Sequence, residues 1–451
     1  MTELTVIVLA AGEGTRMKSS RPKLLHPVAG LPIISHVVRA AADAGATNLA
    51  VVTGPGHEKI EAAVHAAAPD AQFFQQTERK GTAHAALMAE PLWRDVKGYI
   101  AVVYGDHPLL RPEIFRMVFD RLDTGKDAAI LGFEPEDPSG YGRLLTDGDR
   151  LLGIREHKDA STAEREIGLC NACILAFRAD VFRDAIVKID DNNVQKEFYL
   201  GDLVEHANAA GCDVGYAIAP WEDVMGVNSQ AQLAEAEALF QKRLRLSMME
   251  EGVTLTDPAS VYFCYDTKIG RDVSIEPNVY FGPAVTVADG VRIKAFSHIE
   301  GANIGANAEI GPFARLRPGT DLAEGAKVGN FVEVKNAKIG AGAKLNHLSY
   351  IGDAEIGAKT NVGAGTITCN YDGINKHRTL IGEGVFVGSN SSLVAPLSIG
   401  DNAYIASGSV ITSDIPGDAL GIGRARQENK AGYAPRLRAR AEAIKKSKQE
   451  R

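Results

Sequence analysis

The 451-residue chain is poor in three things, and each shortage excludes something. Its five cysteines are unevenly placed and too few for a disulfide framework in a chain this long. It has no excess of positive charge. Its 49 lysines and arginines face 57 aspartates and glutamates, and the net charge of −8 argues against nucleic acid as an obligate partner. Long apolar runs are also missing. The opening stretch MTELTVIVLAAGEG carries no basic leader, and its apolar part is too short for a signal peptide or a membrane span. These shortages predict a cytoplasmic protein with ordinary hydrophobic cores, and the length suffices for two or three of them.

What the second half has in abundance is an aliphatic ladder with one rung every sixth residue. It runs Ile269, Ile275, Phe281, Val287, Ile293, Ile299, slips by one residue to Ile304, and continues Ile310, Leu316, Leu322, Val328, Val334. Further slips give Ile339, Leu345, Ile351 and then Ile356, Val362; after an interruption come Ile381, Val387, Leu393, Ile399, Ile405, Ile411. A period of six fits neither a helix nor a free strand. A coil of three short strands with one inward side chain per strand does produce it, and such coils must stack, about 4.8 Å apart, to bury their inner faces. The interruption, Cys369 to Arg378, is polar and predicts a loop thrust out for binding or assembly. His347 and Tyr350 fall outside the inward hexad positions, so both face outward.

The first half reads differently. A β-branched run, Thr5–Leu9, feeds Ala10-Ala11-Gly12-Glu13-Gly14-Thr15-Arg16-Met17. A buried strand ending in a Gly-rich loop brings backbone N–H groups against phosphate. Gly12-x-Gly14 alone is weak, lacking the third glycine of a dinucleotide fingerprint and the lysine end of a P-loop. Arg16 and Lys23 sharpen it, because two cations beside such a loop can hold a triphosphate and steady departing pyrophosphate. Helical and extended patterns then alternate: Ile33–Ala44, Leu49–Thr53, Glu58–Ala67, Ala71–Gln75 and Thr82–Leu92. This predicts a mainly parallel α/β sheet. Tyr99–Tyr104 ends in Gly105-Asp106, and an acidic residue at the carboxyl end of a central strand is placed to hold Mg²⁺ between phosphates. Cys170-x-x-Cys173 has no matching second pair and reads as buried thiols. A helical pattern from about Gln230 to Glu251 predicts the link between the halves, capped by Asn228 or Ser229. The boundaries expected are therefore 1–228, a linker helix 229–252, and 253–451 with a basic tail from Arg424.

Leu9 to Met17 with Pro22-Lys23, Gln76 with Gly81-Thr82, and Tyr104-Gly105-Asp106 together resemble the signature of sugar-phosphate nucleotidyltransferases. The hexad array, with Gly329-Asn330-Phe331-Val332-Glu333 and Gly363-Ala364-Gly365-Thr366, resembles the hexapeptide-repeat, left-handed parallel β-helix family. Both motif sets in this order make nearly the full chain similar to the family of bifunctional N-acetylglucosamine-1-phosphate uridyltransferases / glucosamine-1-phosphate acetyltransferases. The resemblance implies a Rossmann-like α/β nucleotidyltransferase domain followed by a left-handed β-helix, a homotrimer formed through that β-helix, and UTP, acetyl-CoA and Mg²⁺ as ligands.

The resemblance also implies roles. The Gly12–Gly14 loop, Arg16 and Lys23 hold the triphosphate, and Leu9, Ala10, Ala11, Tyr104 and Gly105 also belong to the nucleotide site. Gln76, Gly81 and Thr82 read uracil; Gly142, Glu156 and Asn171 hold the N-acetylsugar; Asp106 and Asn228 bind the metal. Around Asn171 the sequence has Cys170-Asn171-Ala172-Cys173 where the family has Asn-Thr-Gly, a departure within the sugar site. In the second half Arg317 and Lys335 bind the sugar phosphate. His347 is the base, a task suited to an imidazole. Tyr350, Asn361, Asn370 and Tyr371 position substrate, the last two on the acetyl-CoA side with Ala364, Ser389, Ser407 and Arg424. Two other readings compete: a single nucleotidyltransferase with a structural β-helix, and a scaffold without activity. A purely structural prism has no reason to carry Arg317, Lys335, His347 and Tyr350. A scaffold has none to keep Arg16, Lys23 and Asp106.

Overall fold

The computed structural model describes residues 3–449 and divides into two compact units. Of the described residues, one comprises those up to Glu250 with Tyr262–Thr267, and the other comprises Glu251–Val261 with those from Lys268 onward.

The first unit is built on β1 (Leu4–Ala10), whose alternation serves two cores at once. Val6, Val8 and Ala10 enter one buried cluster, while Ile7 enters the cluster on the opposite face of the sheet. β1 pairs in parallel with β2 (Asn48–Thr53) and with β4 (Tyr99–Tyr104); β3 (Gln72–Gln75) adds beside β2. β5 (Ala128–Phe133), β6 (Arg143–Asp147), β7 (Arg150–Arg155), β8 (Cys170–Arg178) and β9 (Val214–Ile218) extend the other side. The order is β9-β5-β8-β4-β1-β2-β3, with β8 antiparallel to both neighbours and β6 and β7 as an outlying hairpin. Leu9 lies opposite both Val52 and Tyr104, so the loops after β1 and β4 leave the sheet side by side. This puts Gly12 and Asp106 at one carboxyl edge, where open α/β sheets take ligands.

Helices α1 (Ile33–Asp43), α2 (Glu58–Ala67), α3 (Thr82–Met88), α4 (Pro112–Asp123), α5 (Ala179–Ile186) and α6 (Leu203–Ala209) surround the sheet. The helical pattern expected over Thr82–Leu92 breaks at Ala89, ahead of Pro91, and resumes as a short turn over Glu90–Trp93. The long helix α7 (Gln230–Glu250) is anchored in this unit rather than standing free: Ala236 joins the core and Gln241 bonds both the N–H and the carbonyl of Phe263. Ser229 caps it, its Oγ accepting from Gln232 N at 3.2 Å, which leaves the Asn228 amide available elsewhere.

The second unit is a left-handed parallel β-helix with three walls. One wall stacks Leu255, Ile275, Ile293, Ile310, Val328, Leu345, Val362, Val387 and Ile405 in register. A second stacks Ile269, Val287, Ile304, Leu322, Ile339, Ile356, Ile381 and Ile399. The third stacks Phe281, Ile299, Leu316, Val334 and Ile351, then Thr368, then Leu393 and Ile411. Every ladder residue is buried except Ile269, which is half-buried near the first coil. Thr368 breaks the aliphatic series without leaving an orphan hydroxyl, because it accepts from Gly352 N at 2.8 Å and donates to Gly352 O at 3.1 Å.

The corners turn through left-handed residues. At most of them the residue is Gly, Asn or Asp, but on the corner leading into the third wall Phe296, Phe313 and Phe331 adopt φ of 60°, 55° and 56°. A bulky residue is seldom found there. The three rings are exposed and stacked, with centroids 4.9 and 5.1 Å apart, and Leu348 continues the column. The basic tail carries α8 (Tyr433–Gln449), exposed throughout.

Candidate functional site

At the carboxyl edge of the first sheet lies a cleft of ≈ 330 Å³ lined by Leu9, Ala10, Ala11, Gly12, Lys23, Gln76, Gly81, Thr82, Tyr104 and Asp106, together with Leu24, Arg79, Ala85 and Glu197. The structure thus gathers residues that are about a hundred positions apart in sequence. Gly81 has φ +115°, and a Cβ there would stand 2.5 Å from the Phe198 backbone, so only glycine lets these segments close. Gln76 is buried, with Nε2 donating to Gly81 O at 3.0 Å and meeting His84 Nδ1 at 3.1 Å.

The charged centre is compact. Lys23 Nζ donates to Asp106 Oδ2 at 2.5 Å and to Asn228 Oδ1 at 3.0 Å, and Arg16 Nη2 reaches the same Asn228 oxygen at 2.9 Å. Burial alone would push the Asp106 carboxyl up. His107, whose Nδ1 lies 2.8 Å from Oδ1, and Lys23 more than offset this and hold it well below the usual carboxylate range. Asp106 and Asn228 therefore present two oxygens to one cation, and the Lys23 ammonium stands where they converge. A hard divalent ion takes such oxygen donors, so the residues present fit one, provided Lys23 moves aside. Burial, then Glu156 and Asp106, push the Tyr104 phenol up, keeping it a neutral hydrogen-bonding group.

Gly142, Glu156 and Asn171 are also brought together. Asn171 N donates to Gly142 O at 2.7 Å, and a Cβ on Gly142 would lie 3.2 Å from Glu156 Oε1. Asn171 Oδ1 and His157 Nδ1 are buried with no protein partner, which leaves an acceptor and a ring nitrogen for a ligand's polar groups. Behind them the fully buried Arg143 guanidinium donates to the carbonyls of Tyr141 and Arg165, tying the loops around the pocket. Burial and then Asp159, Asp202 and Glu197 raise the Glu156 carboxyl. Cys170, Ala172 and Cys173 belong to the core, and a register shift in β8 between Asn171 and Leu175 accompanies this packing.

On the β-helix, the third wall carries a second set. Arg317, Lys335 and Lys376 crowd together: Lys335 is held below the ordinary lysine value, first by Lys376 and then by burial and Arg317. Arg317 is steadied by Glu333 at 2.8 Å. Glu333 on Arg317 and Asp353 near both lysines offset only part of this positive charge, leaving a basic patch of the kind that attracts an anion. His347 ends a strand of the first wall and Tyr350 opens one of the third, with the left-handed corner at Leu348 between them. His347 is exposed, and its Nδ1 lies 2.6 Å from Asn330 Oδ1 on the preceding coil. An amide oxygen only accepts, so Nδ1 carries the proton and Nε2 is left with its lone pair.

Below His347 the backbone runs coil by coil through Ala364, Ser389 and Ser407 toward Arg424, linked by Gly365 N to His347 O, Asn390 N to Ala364 O and Gly408 N to Ser389 O. Asn361 projects from the neighbouring wall, so one chain does not bring it to the Arg317–Lys335 cluster. Asn370 is buried at the root of the extruded loop, its amide donating to Asp353. Tyr371 is exposed, with its hydroxyl on Gly373 O. Asp372 braces the loop by accepting from the Asn375 and Ile374 amides and from His377, which holds its carboxyl well below the usual range.

Sequence reasoning missed Arg79, Glu197, His107, Lys376 and Asn330. Arg79 lies between Gln76 and Gly81, and Asn330 belongs to a motif already singled out, so their neighbours were signals. Lys376 lies in the loop expected to serve binding, but only the return of that loop brings it to Lys335.

Comparison with known proteins matches residues 6–166 to the MobA-like NTP transferase domain and residues 266–301 and 378–413 to the bacterial transferase hexapeptide (six repeats). The chain is similar to the "Bifunctional protein GlmU" of Azorhizobium caulinodans, 55% identical over 436 residues and 97% of each chain. It is likewise similar to those of Xanthobacter autotrophicus, at 53% over 97% of each, and Brucella anthropi, at 52% over 99% of each.

Proposed function

The chain belongs to the GlmU family of bifunctional proteins, and on that premise we propose how its two activities are divided between its residues. It is a bifunctional transferase of UDP-N-acetylglucosamine synthesis, acetylating glucosamine 1-phosphate from acetyl-CoA and then transferring UMP from UTP to the product. We assign the second reaction to residues 1–228, the connection to 229–252 and the first reaction to 253–451. The observation that carries this division is that each unit has its own phosphate-directed constellation: Arg16, Lys23, Asp106 and Asn228 in one, Arg317, Lys335 and Lys376 in the other.

In the acetyl transfer, the cationic cluster grips the sugar phosphate. The 2-amine nitrogen attacks the thioester carbonyl, the C–S bond breaks, and His347 Nε2 takes the proton that the amine loses. Coenzyme A lies along Ala364, Ser389, Ser407 and Arg424, with Tyr350, Asn361, Asn370 and Tyr371 completing the positioning. In the uridyl transfer, an oxygen of the sugar phosphate attacks the α-phosphorus of UTP in line and pyrophosphate leaves. Both partners are anions, so placement and charge neutralisation by Arg16 and Lys23 supply most of the rate. The attacking phosphate is already ionised at neutral pH and needs no base. The enzyme is metal-dependent. We assign Mg²⁺ to Asp106 and Asn228, where it would neutralise charge between the phosphates.

Because Asn361 lies on a different wall from the cationic cluster, we assign the complete acetyl site to neighbouring copies in a trimer. Support comes from the exposed Phe296–Phe313–Phe331 column and from Ile374, 86% exposed at the tip of a loop that Asp372 braces. Among the described residues no helix is long and apolar enough to cross a membrane. We place the enzyme in the cytoplasm, where its phosphorylated substrates are held.

The test supplies glucosamine 1-phosphate, acetyl-CoA and Mg²⁺, follows free thiol, then adds UTP and follows pyrophosphate. Thiol release followed by pyrophosphate is expected. If pyrophosphate forms only when N-acetylglucosamine 1-phosphate is supplied, the second unit is structural and its assignment falls.

A further inference from the structure

Arg16 and Lys23 are not the only cations of the nucleotide cleft. Arg79 lines the same cavity from the segment that carries Gln76 and Gly81. Its Nε donates to Ala11 O at 3.3 Å, and its Nη1 forms an ion pair with Glu13. Ala11 and Glu13 flank Gly12, so the guanidinium straddles the loop that faces the phosphates. Glu13 is out of place on its own account, because a carboxylate in a loop that receives a polyanion repels it. The Arg79 and Glu13 side chains are 45% and 56% exposed, and a pair this open to solvent is weak and exchangeable. A guanidinium has five donors in a fixed fork and binds phosphate oxygens at two points.

We propose that Arg79 is the third cation of the triphosphate grip, and that Glu13 holds it over the Gly12 loop until the β- and γ-phosphates of UTP replace that carboxylate. The proposal rests on reading this cleft as the UTP site. Its position between the base-reading residues Gln76 and Gly81 and the phosphate loop would let one short segment sense both ends of the nucleotide. No bond is made or broken; one anion exchanges for another on the same guanidinium.

The test is steady-state uridyl transfer by the full chain, with UTP varied and the sugar phosphate and Mg²⁺ saturating. UMP is used as a competing ligand that lacks the outer phosphates. Arg79→Met should raise KM for UTP roughly tenfold, the scale of one charge-assisted contact, while kcat falls less than threefold and UMP inhibition shifts less than twofold. Glu13→Gln should lower KM for UTP several-fold, and that gain should vanish when Arg79→Met is also present. Circular dichroism and melting temperature certify folding. The proposal is overturned if Arg79→Met leaves KM for UTP within twofold or weakens UMP equally. It also fails if Glu13→Gln acts alike with and without Arg79. Lys23→Met separates the two levels of inference. If it raises KM while Arg79→Met does not, only Arg79 is misassigned; if neither variant does, the cleft is not the UTP site.

Discussion

Replacing Asn330 by alanine probes the acetyl site at its most sensitive point. The Asn330 amide oxygen lies 2.6 Å from His347 Nδ1, across one coil step. With His347 as the base, as proposed above, the imidazole would gain a proton at Nε2 in the transition state, and this hydrogen bond would come to serve a charged ring. Hydrogen bonds to charged groups contribute about 1.5–3 kcal/mol, which corresponds to a loss of about 10- to 150-fold in kcat. KM for glucosamine 1-phosphate should change little, because Arg317, Lys335 and Lys376 cluster across the Leu348 corner, at the third wall. The assay is thiol release from acetyl-CoA, measured across pH 6 to 9. Asn330→Asp keeps an acceptor at the same place. It should recover most of the rate, and its carboxylate should carry the acidic limb of the pH–rate profile upward. The reasoning is refuted by a threefold or smaller loss in Asn330→Ala, by a loss confined to KM, or by an aspartate variant as slow as the alanine one.

Three further outcomes are expected. Asp106→Ala should abolish pyrophosphate release while thiol release persists, and His347→Ala should do the reverse; loss of both activities in either variant would contradict separate sites. Lys376→Met should raise KM for glucosamine 1-phosphate by about tenfold with little effect on UTP kinetics, and an unchanged KM would remove Lys376 from the phosphate receptor. Asp202 is pushed up to about 6 by burial first and then by Glu205 and Asp190. Its folded pKa exceeds the unfolded value of about 3.9, so the folded state binds the extra proton, and stability falls as pH rises through that window. Discounted for solvent screening of a partly exposed group, Asp202→Asn should therefore add about 1–2 kcal/mol in urea unfolding at pH 8 and about half of that at pH 5; an equal gain at both would show that the carboxyl is not the cause.

The prism was legible because its period is dictated by geometry that no helix or free strand shares, and the ladder residues are inside it. The exception on the third wall, Thr368, reads as a break in sequence, since its compensation is a backbone group one coil away at Gly352. In the α/β unit the strand runs and the Gly12 loop were visible, because local residue types set both. The helix after Ser229 was visible too, but its attachment through Gln241 to Phe263 was not, as that contact depends on the chain returning. The same limit applies to chemistry. Asp106 and Lys23 stood out by type and setting, whereas the Lys335–Lys376 proximity and the Arg79–Glu13 pair exist only once loops have folded back. Asn361 marks the opposite case, a residue expected in the acetyl site that a single chain keeps on a separate wall.

The column descending from His347 turns a stack of coils into a ruler. Four coil steps separate His347 from Arg424 by way of Ala364, Ser389 and Ser407, a rise of about 19 Å at one strand spacing per step. The reach between the His347 imidazole and the distant Arg424 guanidinium is thus counted in whole coils and cannot be tuned continuously. Removing one coil between them would preserve the core and the chemistry at each end yet shorten the gauge by about 4.8 Å. With coenzyme A along it as proposed, such a wall would select for the length of a thin, extended cofactor as well as for the groups at its two ends.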